Sequence, residues 1–255
     1  VLTALLLGLV GAADVLRTHL GLRSAVIAIV VLDVVLAVAS AAGLGAPVIG
    51  VVVVVILSAL WLPVTTTEAG RRPLGGLRAV VGLAVAVLVL TLVDRAGAAS
   101  DGPLVDAWSR LDGTASGWPL EQVLLAVGAG LLLLETGNVI VRAALHRELA
   151  PHPEPRRSLS LRARFLRPPA EIAPLPDLRG GRAIGPLERV LVAGLTLTGA
   201  IGLAGAVFAA KGIVRFPEIS RDGDSGSKAE YFLVGSLVSW TLALACAGLV
   251  ALSGV

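Results

Sequence analysis

Long apolar runs with few or no charges recur along this 255-residue chain, and they restrict its fold more than any other feature. Seven stand out, at about 1–16, 25–43, 45–63, 77–93, 120–142, 189–210 and 230–252. A helix rises about 1.5 Å per residue, so about 20 apolar residues cross the hydrocarbon of a bilayer. Seven such runs are too many for one soluble core of this size. Only 15% of the residues are charged, against about a quarter in a soluble globular chain. The competing fold is an Ala/Val-rich soluble α/β domain with buried parallel strands. Strands run short and end at turn signals, which these segments do not. The β-branched run Val51 to Ile56 would suit a strand in water, but an open strand in lipid leaves its amides unpaired, so helix wins. The expected fold is all-α: a polytopic transmembrane bundle of about seven spans with one long Pro/Arg-rich cytoplasmic loop.

The connections set the expected organisation. Spans one to five occupy 1–145, the loop 146–188, and a transmembrane helical hairpin 189–255. Spans two and three are joined through Gly43, Gly45 and Pro47, which suit a tight turn. Residues 142–182 carry nine arginines against four acids, and 64–78 three arginines against one. Residues 94–121 carry two arginines against five acids. Excess Lys/Arg marks the cytoplasmic side. Alternation over seven spans then puts the amino terminus outside, the carboxyl terminus inside, and 211–228 outside despite Lys211, Arg215, Arg221 and Lys228. In the loop, eight prolines from Pro151 to Pro186 oppose a long helix. Its strip of Leu159, Leu161, Arg162, Arg164, Phe165, Leu166 and Arg167 is either a solvated positive loop or a contact for anionic lipid headgroups.

Other features exclude more than they assign. A net charge of +3, dispersed along the chain, gives no nucleic-acid footprint. The single Cys246 can form no internal disulfide. Arginine usage with two lysines only, amid Ala, Gly and Val, points to a GC-rich bacterial genome. The chain opens at Val1 and has no methionine, so the first run reads as a short or truncated helix. No phosphate-cradling glycine loop, cysteine pair or HExxH helix is present, and no cofactor is expected. His19, His146 and His152 lie far apart, so no metal site is expected.

Charges inside the spans are the stronger lead, because each costs several kcal/mol in lipid on most scales. Asp33 sits mid-span with no partner near it in sequence. Glu135, Asn138 and Arg142 fall three and seven apart, on one helix face. That face is either a proton- or cation-handling stripe or interhelical glue. In the last two spans small residues recur every four positions: Gly194, Thr198, Gly202, Ala206 and Ala210, then Gly235, Ser239, Ala243, Ala247 and Ala251. Such ladders let helices approach closely, so these spans are expected to form a close antiparallel pair. Lys211 is expected either to pair with Glu230 across the hairpin mouth or to snorkel to the headgroups.

Three blocks of the carboxyl-terminal third carry a family likeness. They are Gly181 to Arg189, Ala209 to Phe216 and Ala229 to Ser239. In order and spacing they resemble the tail of a bacterial multi-pass membrane family known only as domain of unknown function 3307. The likeness covers roughly 181–250. The family's amino-terminal helix carries a histidine before an Asp-Phe pair; here Asp14-Val15 offers only the aspartate. The resemblance implies membrane location and marks Glu188, Arg189, Lys211, Arg215, Phe216, Glu230, Tyr231, Gly235 and Ser239. It implies no activity.

Two functional classes follow. The first is a non-enzymatic bacterial inner-membrane protein, either a component of an assembly with a membrane-protein partner or a small transporter-like bundle. Against transport stands the lack of an internal repeat. The second is an intramembrane enzyme acting on a lipid-like substrate, with Glu135 and Tyr231, or Lys211 and Glu230, as its only seeds.

Overall fold

The structure, a computed structural model, describes residues 1–67, 75–97, 101–111, 117–148, 181–220 and 227–254, and every regular element among them is helical. In chain order they are α1 (Leu2–His19), α2 (Leu22–Val38, prolonged by a π-turn at Ala39–Gly43), α3 (Val48–Val64), α4 (Gly76–Ala96) and α5 (Pro103–Leu111). Then come α6 (Leu120–Leu131), a π-turn (Leu132–Thr136), α7 (Gly137–Glu148), α8 (Gly181–Leu197), α9 (Ile201–Ser220) and α10 (Ser227–Ser253). The arginine-rich strip at 159–167, His152 and the 221–226 connection lie outside the described residues, as do the side chains of His146 and Lys228.

This is an all-α membrane bundle, but its span count differs from the expected seven. Among the described residues five helices are long and apolar enough to cross a membrane: α1, α2 with its π-turn, α4, α6 continued into α7, and α10. Helix α3 is a shorter apolar helix of 17 residues, roughly 26 Å. The expected span 189–210 is not one helix. It breaks at Gly199, whose φ of 76° is left-handed, and the chain caps itself there. The N–H of Ala200 donates to the Leu195 carbonyl at 2.8 Å and that of Gly199 to Thr196 at 3.1 Å. These two bonds form a Schellman cap, which glycine favours because it has no Cβ to clash. The chain then folds back, and Lys211 of α9 reaches Glu188 of α8.

The loop boundary moves too. Helix α8 begins at Gly181, so its first turns take residues assigned to the loop, and Pro186 lies inside it. A proline near a helix start is tolerated, because the bond it forfeits is to a carbonyl of the first turn. Glu188 and Arg189 therefore sit in mid-helix rather than at its entry.

Burial runs against hydropathy, as lipid solvent allows. The window of α1 is the least apolar of the five and 67% buried, whereas that of α4 is 6% buried. Val30, Val31, Val34 and Val35 on α2, and Val85, Leu88, Val89 and Leu92 on α4, are exposed. A patch of that size is a liability in water and ordinary in hydrocarbon.

Helix α1 is the axis, and it meets α6 backbone to backbone. A Cβ at Gly11 would lie 2.6 Å from the Leu131 carbonyl carbon, and one at Gly128 would lie 2.7 Å from the Ala4 oxygen. Gly11→Val is expected to prise these helices apart, at about 1–3 kcal/mol. Gly8, whose added Cβ meets nothing within 4 Å, supplies the control: Gly8→Ala should be neutral or stabilising by about 0.5–1 kcal/mol. Thermal unfolding in mild detergent measures both; equal midpoints would contradict the close approach.

The ends of the bundle differ in charge. Asp94, at the end of α4, caps α1 by accepting the N–H groups of Leu2 at 3.0 Å and Thr3 at 2.9 Å. Next to it, Arg95 donates to the Leu252 carbonyl of α10 at 2.7 Å. The start of α1, the end of α4 and the end of α10 thus share one end. At the other, Arg17 of α1 donates to the Leu62 and Thr65 carbonyls at the close of α3, and Gly185 of α8 faces Asn138 of α7. The expected opposition of the two termini is therefore corrected: α1 starts where α10 finishes. The cause is the break at Gly199, which makes 189–210 go out and return. The end of α9 and the start of α10 then fall at the end away from Asp94.

Candidate functional site

Helix geometry builds a polar layer where α6 passes into α7. In the π-turn the Gly137 N–H reaches back five residues to the Leu132 carbonyl. The Leu133 carbonyl loses its usual helical donor and needs another. Arg189 supplies it. Its Nε donates to Leu133 O at 2.7 Å, and its Nη2 to Leu134 O and Asn138 Oδ1, each at 2.9 Å. Nη1 lies 3.5 Å from the Ser239 hydroxyl of α10. The guanidinium crosses the helix at Gly137, where a Cβ would stand 2.5 Å from Nε. Only glycine leaves that room.

Charges of both signs collect here. Glu188 accepts from Lys211 at 2.7 Å and from the Trp240 indole at 2.6 Å. Lys211 Nζ also lies 5.5 Å from the centre of the Trp240 ring, within cation–π range, and Phe208 packs on that ring at 4.2 Å. Glu135 is buried, is reached by the Asn138 amide at 3.4 Å and acts electrostatically on Arg189.

A second cluster occupies the opposite side of the same turn. Asp14 of α1 is fully buried. Its carboxylate accepts from Arg17 at 2.6 Å, Thr136 Oγ1 at 2.7 Å and the Trp61 indole at 3.1 Å. Arg17 also reaches the Thr65 hydroxyl at 2.7 Å, and that hydroxyl donates to the Trp61 carbonyl. The layer holds Asp14, Glu135 and Glu188 against Arg17, Arg189 and Lys211, three charges of each sign. A neutral, hydrogen-bonded set is what a dry interior tolerates.

Of the residues singled out from sequence, Glu135, Asn138, Glu188, Arg189, Lys211 and Ser239 converge in this layer. Asp33 does not: it lies apart on α2, and its buried Oδ1 has no hydrogen-bond partner among the described residues. Arg142 and Glu135 do not form an ion pair with each other along their shared helix. Lys211 bonds Glu188, not Glu230, which is exposed. This removes one seed of an intramembrane enzyme. Phe216 is 67% exposed, Arg215 is half-buried, and Gly235 packs near Val141 and Leu145.

The small-residue ladders fare differently. On α10, Ser239, Ala243 and Ala247 are buried in the bundle. On the other segment Gly199 interrupts the ladder, and Gly194 and Gly202 have open space where a Cβ would be. The buried face of α8 is Glu188, Arg189, Val192 and Ala193 instead. Arg17, Trp61, Thr65, Thr136 and Trp240 were not picked out from sequence, and Asp14 only as the aspartate of the family-like amino-terminal motif. The Asp14/Arg17 spacing of three was the available signal, since it stacks opposite charges on one helix face.

No protein-family model matches the chain, and no match is found among curated proteins or among solved structures.

Proposed function

We propose that this chain is a non-enzymatic membrane subunit, held in the bacterial cytoplasmic membrane with its basic end inside, and that α2 docks on a helix of another membrane protein. The carrying observation is Asp33. It lies eleven residues into α2, roughly 17 Å along it and so near mid-membrane. Its helix has 17% of its window buried and presents valines to lipid. An acid at that depth is costly without a partner, and partners for such groups come from neighbouring helices. The acids of the polar layer have their donors within the chain, whereas Asp33, outside that layer, has none for its buried Oδ1 among the described residues and is left for a donor from outside. Excess arginine on the connections of the basic end supports the orientation. The paired polar layer favours structural glue over a transport path, because transport would require those pairs to open.

The test is Asp33→Leu, with the full chain purified from its native membranes in mild detergent and its mass read by native mass spectrometry. The wild type should run well above the 25.9 kDa chain, and the variant as a monomer with an unchanged or raised unfolding temperature. A monomeric wild type, or a complex indifferent to the substitution, overturns the proposal.

A further inference from the structure

Helix α5 covers roughly 14 Å, too short to cross a bilayer. At helical pitch Leu104, Val105, Ala107 and Trp108 fall on one arc, and Asp106, Ser109 and Arg110 on the other. All three polar residues are exposed.

Two tethers hold α5 at the Asp94 end of the bundle. The first is the turn between α2 and α3. A Cβ at Gly43 would strike the Leu104 side chain, one at Gly102 the Gly43 carbonyl, and one at Gly45 would lie 2.6 Å from Asp101 Oδ1. Just past that turn, a Cβ at Gly50 would lie 2.7 Å from Leu2, at the start of α1. The second tether is the approach to α6, where the Trp108 indole donates to the Trp118 carbonyl at 3.1 Å. Gln122, shortly after, donates to the Val250 carbonyl near the end of α10. Both tethers sit at one level, so α5 lies across the bundle end rather than along it.

Leu104 and Trp108 both belong to the apolar arc. That arc therefore turns back toward the spans, and the polar arc turns away. The protein covers the apolar arc only in part: Leu104 is 46% exposed, and Ala107 is exposed. The same turn opens into Val48 and Ile49, 66% and 82% exposed. The lipid-facing surface of the spans thus continues onto α5. With its N–H already paired, the Trp108 ring can sit at the lipid boundary without an unsatisfied donor. The connection 94–121 carries two arginines against five acids, so anionic headgroups do not supply the attraction.

We infer that α5 is an interfacial helix. It lies in the leaflet at the Asp94 end, with Leu104 and Ala107 toward the acyl chains and Asp106, Ser109 and Arg110 toward water, and it holds the α2–α3 turn at headgroup level. Its partner is the apolar boundary of the bilayer. The inference does not depend on the partner at Asp33, because a monomeric chain would seat α5 in the same way.

Ala107→Cys and Ser109→Cys, each in the full chain with Cys246→Ala, are spin-labelled and reconstituted into phosphatidylcholine vesicles. Label depth is read from collisions with oxygen against those with a water-soluble nickel chelate. The label at position 107 is expected roughly 5–10 Å deeper than the one at 109. If Cys246→Ala does not fold, the native background serves, because Cys246 is buried and out of the label's reach. High salt, or added phosphatidylglycerol, should leave both depths unchanged. Three results overturn the inference: equal access of nickel to both labels, a label at 107 screened from oxygen and nickel alike by a second protein, or a depth that is lost in high salt.

Discussion

Arg189→Met is expected to destabilise this protein by about 3–5 kcal/mol, enough to empty the membrane of folded chain. The reason is local. A π-turn has already removed the usual donor from the Leu133 carbonyl, and Arg189 restores it while bonding Leu134 O and Asn138. Interhelical hydrogen bonds in membranes average only about 0.6 kcal/mol each, so three lost bonds would not reach that figure alone. What decides is what they leave behind: two carbonyls with one donor group gone, about 1–3 kcal/mol per stranded acceptor, and Glu135 and Glu188 beside a missing cation. Arg189→Lys should rescue little, since an ammonium is a point donor without the flat fork that spans adjacent carbonyls. Gly137→Ala should move stability the same way without touching a charge, by about 1–3 kcal/mol, because the new methyl pushes the guanidinium off the turn. Thermal unfolding in mild detergent orders the series: wild type, Gly137→Ala, then Arg189→Lys and Arg189→Met. If Arg189→Met melts with the wild type, the π-turn does not depend on the arginine.

The membrane bundle was legible because apolar periodicity and length are properties of single segments. Glu135 and Asn138 were legible for the same reason: a charge in an apolar run is conspicuous by itself. Arg189 was visible as a family-like residue, but at a helix entry, because Gly185 and Pro186 look like breakers. The structure carries the helix back to Gly181, and a proline within the first turns does not stop it. Gly199, inside the expected span 189–210, was not singled out, for the opposite reason. Set within a ladder of small residues, it looks like packing surface, and only its positive φ makes it a cap. The π-turn had no signal in the sequence at all. Its five residues, Leu132 to Thr136, read as ordinary helix, and what stabilises the wide turn is an arginine more than fifty positions away. Local pattern finds rods; it does not find the long-range donors that let a rod depart from ideal geometry.

Asp14→Leu is expected to cost about 3–5 kcal/mol, as breaking one side of a buried pair does. The leucine fills a similar space but leaves three donors facing it: the Arg17 guanidinium, the Trp61 indole and the Thr136 hydroxyl. Asp14→Asn should cost less, because its amide oxygen still accepts from Trp61 and Thr136, and only the contact with Arg17 turns unfavourable. The damage should spread along a specific route. Arg17 is aimed by Asp14 and clamps the Leu62 and Thr65 carbonyls, so losing the aspartate should loosen the last turn of α3 before the rest of the bundle. Hydrogen exchange over residues 61–65 should therefore quicken in Asp14→Asn even where the melting temperature falls little. A double-mutant cycle of Asp14→Ala and Arg17→Ala separates this from simple cavity formation. Coupling of about 0.5–3 kcal/mol marks residues acting as one unit. Additive losses with unchanged exchange at 61–65 would make Asp14 mere filling. The carboxylate would then not be the joint that ties α1, α3 and the wide turn together, and the neutral layer would reduce to its half around Arg189.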